Sequence, residues 1–167
     1  MKSYLASLPR LLPIASAWAE KQEALALEHG RPLGEAQLED AVRAGMAHPG
    51  KIRVMRLEAL PQPEHEEVMF MARQIGLFSP NSTGLTLGYA IHLRPDVWND
   101  RYVLVHECVH VGQYEKKNGI SAFLADYLRE CLDPGFPFGM LEKEAIYVAR
   151  HICNKSSDVR HLRSTAT

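Results

Sequence analysis

The sequence predicts an α+β domain, rich in helix and carrying a short sheet. Most segments place apolar residues at i, i+3 and i+4 between prolines and glycines, which is the period of an amphipathic helix. Two segments alternate apolar and polar residues instead, the period of a half-buried strand. A length of 167 residues, with 46% hydrophobic and 23% charged, matches one soluble domain of the usual ~100–200 residues. One domain over 1–167 is therefore expected. It has a helical scaffold half at 1–83, a half at 84–153 that concentrates the titratable motifs, and a polar, flexible tail at 154–167.

The elements follow in order. A helix is expected from Pro13 to His29, with proline at its start and Gly30 as its stop. Pro9, Arg10 and Pro13 break the apolar stretch ahead of Ala17-Trp18-Ala19, which weighs against a secretory leader. A second helix covers Leu33 to Ala47, and Lys51 to Leu57 alternates as a strand whose basic face is solvated. Pro63 opens a helix toward Gly76, where Glu64, Glu66 and Glu67 complement the macrodipole as capping chemistry. Leu77 to Gly84 is a turn-rich connector.

Gly84 to Arg94 reads as one strand, with Leu85, Leu87, Tyr89, Ile91 and Leu93 on one face and Thr86, Gly88, Ala90, His92 and Arg94 on the other. The small residues of the second face suit either an edge strand that docks an extended peptide or a plain strand beneath a helix. His92 is expected to face solvent. After the helix that follows, Ile120 to Leu132 is amphipathic and stops at Asp133-Pro134-Gly135, and a last helix runs from Leu141 to about Cys153.

Between them lies the most specific pattern of the chain, His106-Glu107-Cys108-Val109-His110. It sits in a stretch with an N-cap candidate at Asn99 or Asp100, a basic last turn, and Asn118-Gly119 as a stop. Histidines at i and i+4 share one side of a helix, so two imidazoles can converge on one metal ion while the adjacent Glu107 reaches a water on it. Leu104, Val105, Cys108, Val111 and Gly112 cluster on the opposite side, which places that side on a core and the histidines toward an opening. Cys108 is then a buried thiol and not a ligand.

A catalytic zinc takes three protein ligands and an open position. Gln113 and Lys116 stand where the extended H-E-x-x-H-x-x-G-x-x-H form needs Gly and His, so the third ligand comes from elsewhere. Glu142 lies on the stripe Glu142, Ala145, Ile146, Ala149 and Ile152, whereas Glu144 shares its side with Tyr147 and His151. A carboxylate on an apolar stripe is costly unless paired or metal-bound, and Glu142 is the expected ligand; helix capping is its alternative role.

His106, Glu107 and His110, with Glu142-x-x-Ala145 downstream, resemble the zincin metallopeptidases of the gluzincin type. The resemblance covers about 84–149. It implies a zincin-like fold, Zn2+ on His106, His110 and Glu142, and Glu107 as the general base. Many such proteins carry an Asp after the Ala that supports a ligand His; this chain has Ile146, and Asp96, Asp100, Asp126 or Asp133 could substitute. For the oxyanion, Tyr89, His92, Tyr114 and Tyr147 stand unranked.

Composition narrows the partners. A formal net charge of -1 argues against nucleic acid or an anionic membrane as the main partner, and the resemblance implies a peptide or protein as the substrate. Cys108, Cys131 and Cys153 form neither a disulfide framework nor a cysteine zinc site, in keeping with a cytoplasmic protein. The expected function is zinc-dependent hydrolysis of a peptide bond. The alternatives are a metal-binding sensor, regulatory or interaction module without turnover, and hydrolysis of another amide.

Overall fold

The computed structural model describes the backbone of residues 2–164 and the side chains of residues 5–154. In chain order the elements are α1 (Lys2–His29), α2 (Glu35–Arg43), β1 (Arg53–Arg56), α3 (Glu66–Gln74), β2 (Gly84–Leu87), β3 (Ala90–Leu93), α4 (Arg101–Glu115), α5 (Ile120–Glu130) and α6 (Met140–Ser164). The architecture is α+β. The three strands form one sheet in the order β1-β3-β2, with β1 parallel and β2 antiparallel to β3. α1 packs on all three strands, and α4 packs against β2, α2, α5 and α6.

α1 begins well before Pro13. Pro9 and Pro13 both lie inside the helix and both are exposed, so the carbonyls they leave without partners stand on the solvated side. Leu8, Leu11, Ala15 and Ala19 are buried on the other side. An interior proline costs ~3 kcal/mol, and burial of a leucine contributes ~1.5–3 kcal/mol, so this packing offsets the interruption.

α2 ends at Ala44 in a Schellman closure, with Gly45 N–H on Val42 O and Met46 N–H on Ala41 O. Gly45 has φ +93°, the left-handed backbone that glycine adopts without strain. Gly112 of α4 lies against the Gly45 backbone and Met46, where an added Cβ would make an ordinary contact. Asp40 of α2 receives two hydrogen bonds from Arg101 at 2.7 and 2.8 Å. These contacts tie the N-terminal half to α4.

The single strand expected over Gly84–Arg94 is a hairpin. Gly88 has φ +63° and Tyr89 does not have a positive φ, the pattern of a two-residue type II′ turn. Glu23 of α1 accepts a hydrogen bond from Tyr89 N at 2.7 Å and lies where a Cβ on residue 88 would stand. The fold back pairs Gly84 with Leu93, Leu85 with His92, Thr86 with Ile91 and Leu87 with Ala90. Odd residues thus pair with even ones, which splits the expected apolar face between the two sides of the sheet. Ile91 and Leu93 join Val54, Leu104, Val105 and Cys108 in the main core.

His92 consequently lies within the structure, only 2% exposed, and not at the solvent-facing position expected for it. The last helix extends to Ser164, past the expected end near Cys153. The flexibility expected of 154–167 concerns side chains that, from residue 155 on, lie outside the described residues. Among the described residues no helix is long and apolar enough to cross a membrane.

Candidate metal centre

The motif helix α4 starts where its sequence provides a cap. Asp100 accepts hydrogen bonds from Tyr102 N at 2.8 Å and Val103 N at 3.2 Å, satisfying two donors that the first turn leaves free. Leu104, Val105, Cys108 and Val111 fill the core as expected, but Glu107, His110 and Gln113 are buried too. The helix is enclosed on nearly every side. Its histidines border a partly open cavity, in keeping with the opening expected for them. Cys108 points into the core, and burial raises its thiol pKa, which keeps it protonated and inert.

His106 Nε2 and His110 Nε2 lie 3.2 Å apart. Glu142, delivered by the first turn of α6, places Oε2 3.4 Å from His106 Nε2 and Oε1 3.3 Å from His110 Nε2. Glu144, two residues on, is exposed. Three donors on bonds of ~2.0–2.1 Å to a tetrahedral centre would stand roughly 3.3 Å apart, so the spacing and chemistry of this donor set fit a zinc ion.

Electrostatics favour the charged carboxylate. Burial alone would raise the pKa of Glu142, but hydrogen bonds from His106 and His110 outweigh it and hold the group well below the usual carboxylate range. Burial likewise opposes charge on His110, and its contacts with Glu142 reverse the direction, raising its pKa.

Gln113 orients His110. Its amide nitrogen donates to Leu141 O at 2.9 Å and to Glu144 Oε2 at 2.8 Å. Both N–H groups are thereby committed, and its oxygen faces His110 Nδ1 at 2.8 Å. Nδ1 must then carry a proton and donate, so that Nε2, which faces Glu142 and His106, is the nitrogen that would give up its proton to a metal. None of the expected aspartates does this. Asp100 caps α4, Asp96 binds Arg94, Asp126 binds Lys117 and Arg129, and Asp133 lies in the turn after α5. The signal was present at i+3 from His110, on the same helical face, but Gln113 read only as a departure from another motif.

Tyr127 of α5 was also missed. Its hydroxyl donates to Glu142 Oε1 at 2.6 Å, and its ring meets that of His110 edge-on at 5.7 Å. Burial and the neighbouring Glu142 raise its pKa well above the ordinary tyrosine value, so it remains a donor. The four oxyanion candidates are elsewhere. Tyr89 and Tyr114 meet edge-to-face, Tyr147 is 71% exposed beside His151, and His92 is on the opposite side of the sheet from Thr86.

No family model, curated protein or solved structure matches the chain.

Glu107 is 7% exposed and is held from β2. Thr86 Oγ1 donates to its Oε2 at 2.6 Å, and Gly84, two residues earlier on the same face, leaves the space that Oε1 occupies; a Cβ there would collide with it. The Gly84-Leu85-Thr86 segment thus fixes the Glu107 carboxylate by one hydrogen bond and one missing side chain. His106, Glu107, His110 and Glu142 all border one cavity of ≈ 300 Å³.

Proposed function

We propose that the protein is a zinc-dependent metallopeptidase-like hydrolase of the gluzincin type. The observation that carries this reading is the convergence of His106, His110 and Glu142, within 4.8 Å of one another, on a cavity that Glu107 also borders. A structural zinc site is closed by four protein ligands, whereas a hydrolytic one keeps three and an open position. Among the described residues the group has three donors.

A zinc ion bound there would act as a Lewis acid, polarising a carbonyl and lowering the pKa of a water. The protein's own groups do the rest. Glu107, held by Thr86, takes the proton from the attacking water and passes it to the leaving amine. Gln113 fixes the His110 tautomer, and Tyr127, through the hydrogen bond its hydroxyl donates, holds the Glu142 carboxylate in place. β2 is an edge strand whose residues border the cavity, so an extended peptide or protein substrate can add to it by backbone hydrogen bonds. Two buried free thiols, Cys108 and Cys131, accord with a cytoplasmic location.

Glu107→Gln tests catalysis apart from metal binding. Zinc content should stay near one per chain while hydrolysis of a peptide library falls by ~10²–10⁴-fold. Equal hydrolysis by parent and variant would remove Glu107 from the mechanism. A zinc-loaded parent that cleaves nothing would favour a binding or sensing module instead.

A further inference from the structure

We propose that the cavity beside the metal centre selects an uncharged, bulky apolar side chain from within a peptide, so that internal bonds and not chain ends are cut. The inference rests on the hydrolase reading above and adds the substrate class. Away from the four titratable residues, the cavity is walled by Trp18 of α1, Val68 and Met71 of α3, Phe123 and Leu124 of α5, and Phe136 from the turn beyond it. Its ≈ 300 Å³ falls at the lower end of ligand pockets, which is room for one large side chain.

Charge decides the rest. Among the described residues bordering the cavity there is no Lys or Arg, and the only carboxylates are Glu107 and Glu142. Both are already committed, the first to Thr86 and the second to His106, His110 and Tyr127. An enzyme that removes residues from a chain end must hold a free ammonium or a free carboxylate, and an unpaired charge brought into an apolar site is costly. Here a free carboxylate would meet no Lys or Arg, and a free ammonium would meet only Glu107 and Glu142, the carboxylates that the proposed reaction itself uses. The remaining polar lining includes the neutral side chains of Asn81, Ser82 and Thr83, of which Ser82 is hydrogen-bonded to Ser79, and this segment leads into the edge strand β2.

The test measures binding as well as turnover. The probes are the N-acetyl hydroxamates of phenylalanine, aspartate and lysine, which chelate zinc alike and differ in side chain. On the zinc-loaded full chain the phenylalanine probe should bind about 10- to 100-fold more tightly than the other two, the range expected for burying one aromatic side chain. Leu124→Trp, which fills the cavity from a half-buried position, should bring the probes toward parity with zinc content and melting temperature as checks of folding. Peptides acetylated and amidated at their ends should be cut beside Phe, Leu or Met. Equal affinities for the three probes, or cleavage only of peptides with a free terminus, would overturn the inference while leaving the metal centre standing. A chain that takes up no zinc would overturn the metal reading, and this inference with it.

Discussion

The two halves of the molecule contribute to the same site in different ways. Residues 84–153 supply the groups with chemistry: α4 brings His106, Glu107, His110 and Gln113, α5 brings Tyr127, α6 brings Glu142, and β2 brings Thr86. Residues before 84 carry no motif, yet α1 and α3 wall the cavity with Trp18, Val68 and Met71, and α1 covers one side of the sheet. The difference teaches where sequence information resides. Reactive groups are fixed by short spacings on single helices. Walls are made of ordinary apolar residues whose partners are distant in the chain, and nothing in their local pattern separates a pocket lining from a core.

The sharpest way to break this division is to mutate one residue on each side of it. Glu142→Ala removes one of three donors and should abolish stoichiometric zinc binding, read by elemental analysis. Met71→Ala, in the buried wall, should lower unfolding stability by ~2–5 kcal/mol and leave zinc content at one per chain. Loss of zinc in Met71→Ala, at a temperature where the chain is folded, would mean that the two halves do not separate as described.

His92 probes the seam between the halves, where α1 covers the sheet. Burial lowers its pKa from the ordinary 6.5 to about 4, against a weaker opposing contact with Leu85 O. The unfolded chain therefore binds a proton at higher pH than the folded one does. Stability from this residue is fully present above pH 6.5, declines as pH falls toward 4, and changes no further below that. The loss amounts to roughly 3 kcal/mol across the window. Denaturant titrations of His92→Gln should show a correspondingly flatter dependence between pH 6.5 and 4, and parallel curves for parent and variant would show that the imidazole is not protected from protonation.

The smallest effect sharpens the account within the C-terminal half. Gln113→Leu removes the hydrogen bond that selects the His110 tautomer and should weaken zinc affinity by ~10–100-fold. Gln113→Glu, which retains an acceptor toward Nδ1 but meets Glu144 with like charge, should fall between parent and Gln113→Leu. Unchanged affinity in Gln113→Leu would assign the orientation of His110 to packing alone.

By itself the sequence determined the features that one element's geometry dictates. The i, i+4 pair on α4 and the preference for Glu142 over Glu144 follow from about 100° per residue along a helix, and both lie where that rule places them; of the two cap candidates, Asn99 and Asp100, the structure uses Asp100. The α+β composition of helices with a short sheet was legible for the same reason. Only the tertiary structure decided what depends on contacts between elements. Glu23 of α1 sits against the turn at Gly88, and the resulting hairpin changes the parity of every residue after it, which buries His92. Gln113 becomes a positioning group because Leu141 and Glu144 of α6 accept its amide hydrogens, and Tyr127 reaches Glu142 because α5 packs beside α4 and α6. The cavity's walls have the same origin: helical periodicity says which face of α1 or α3 is apolar, and packing alone says which part of that face is left beside His106, His110 and Glu142.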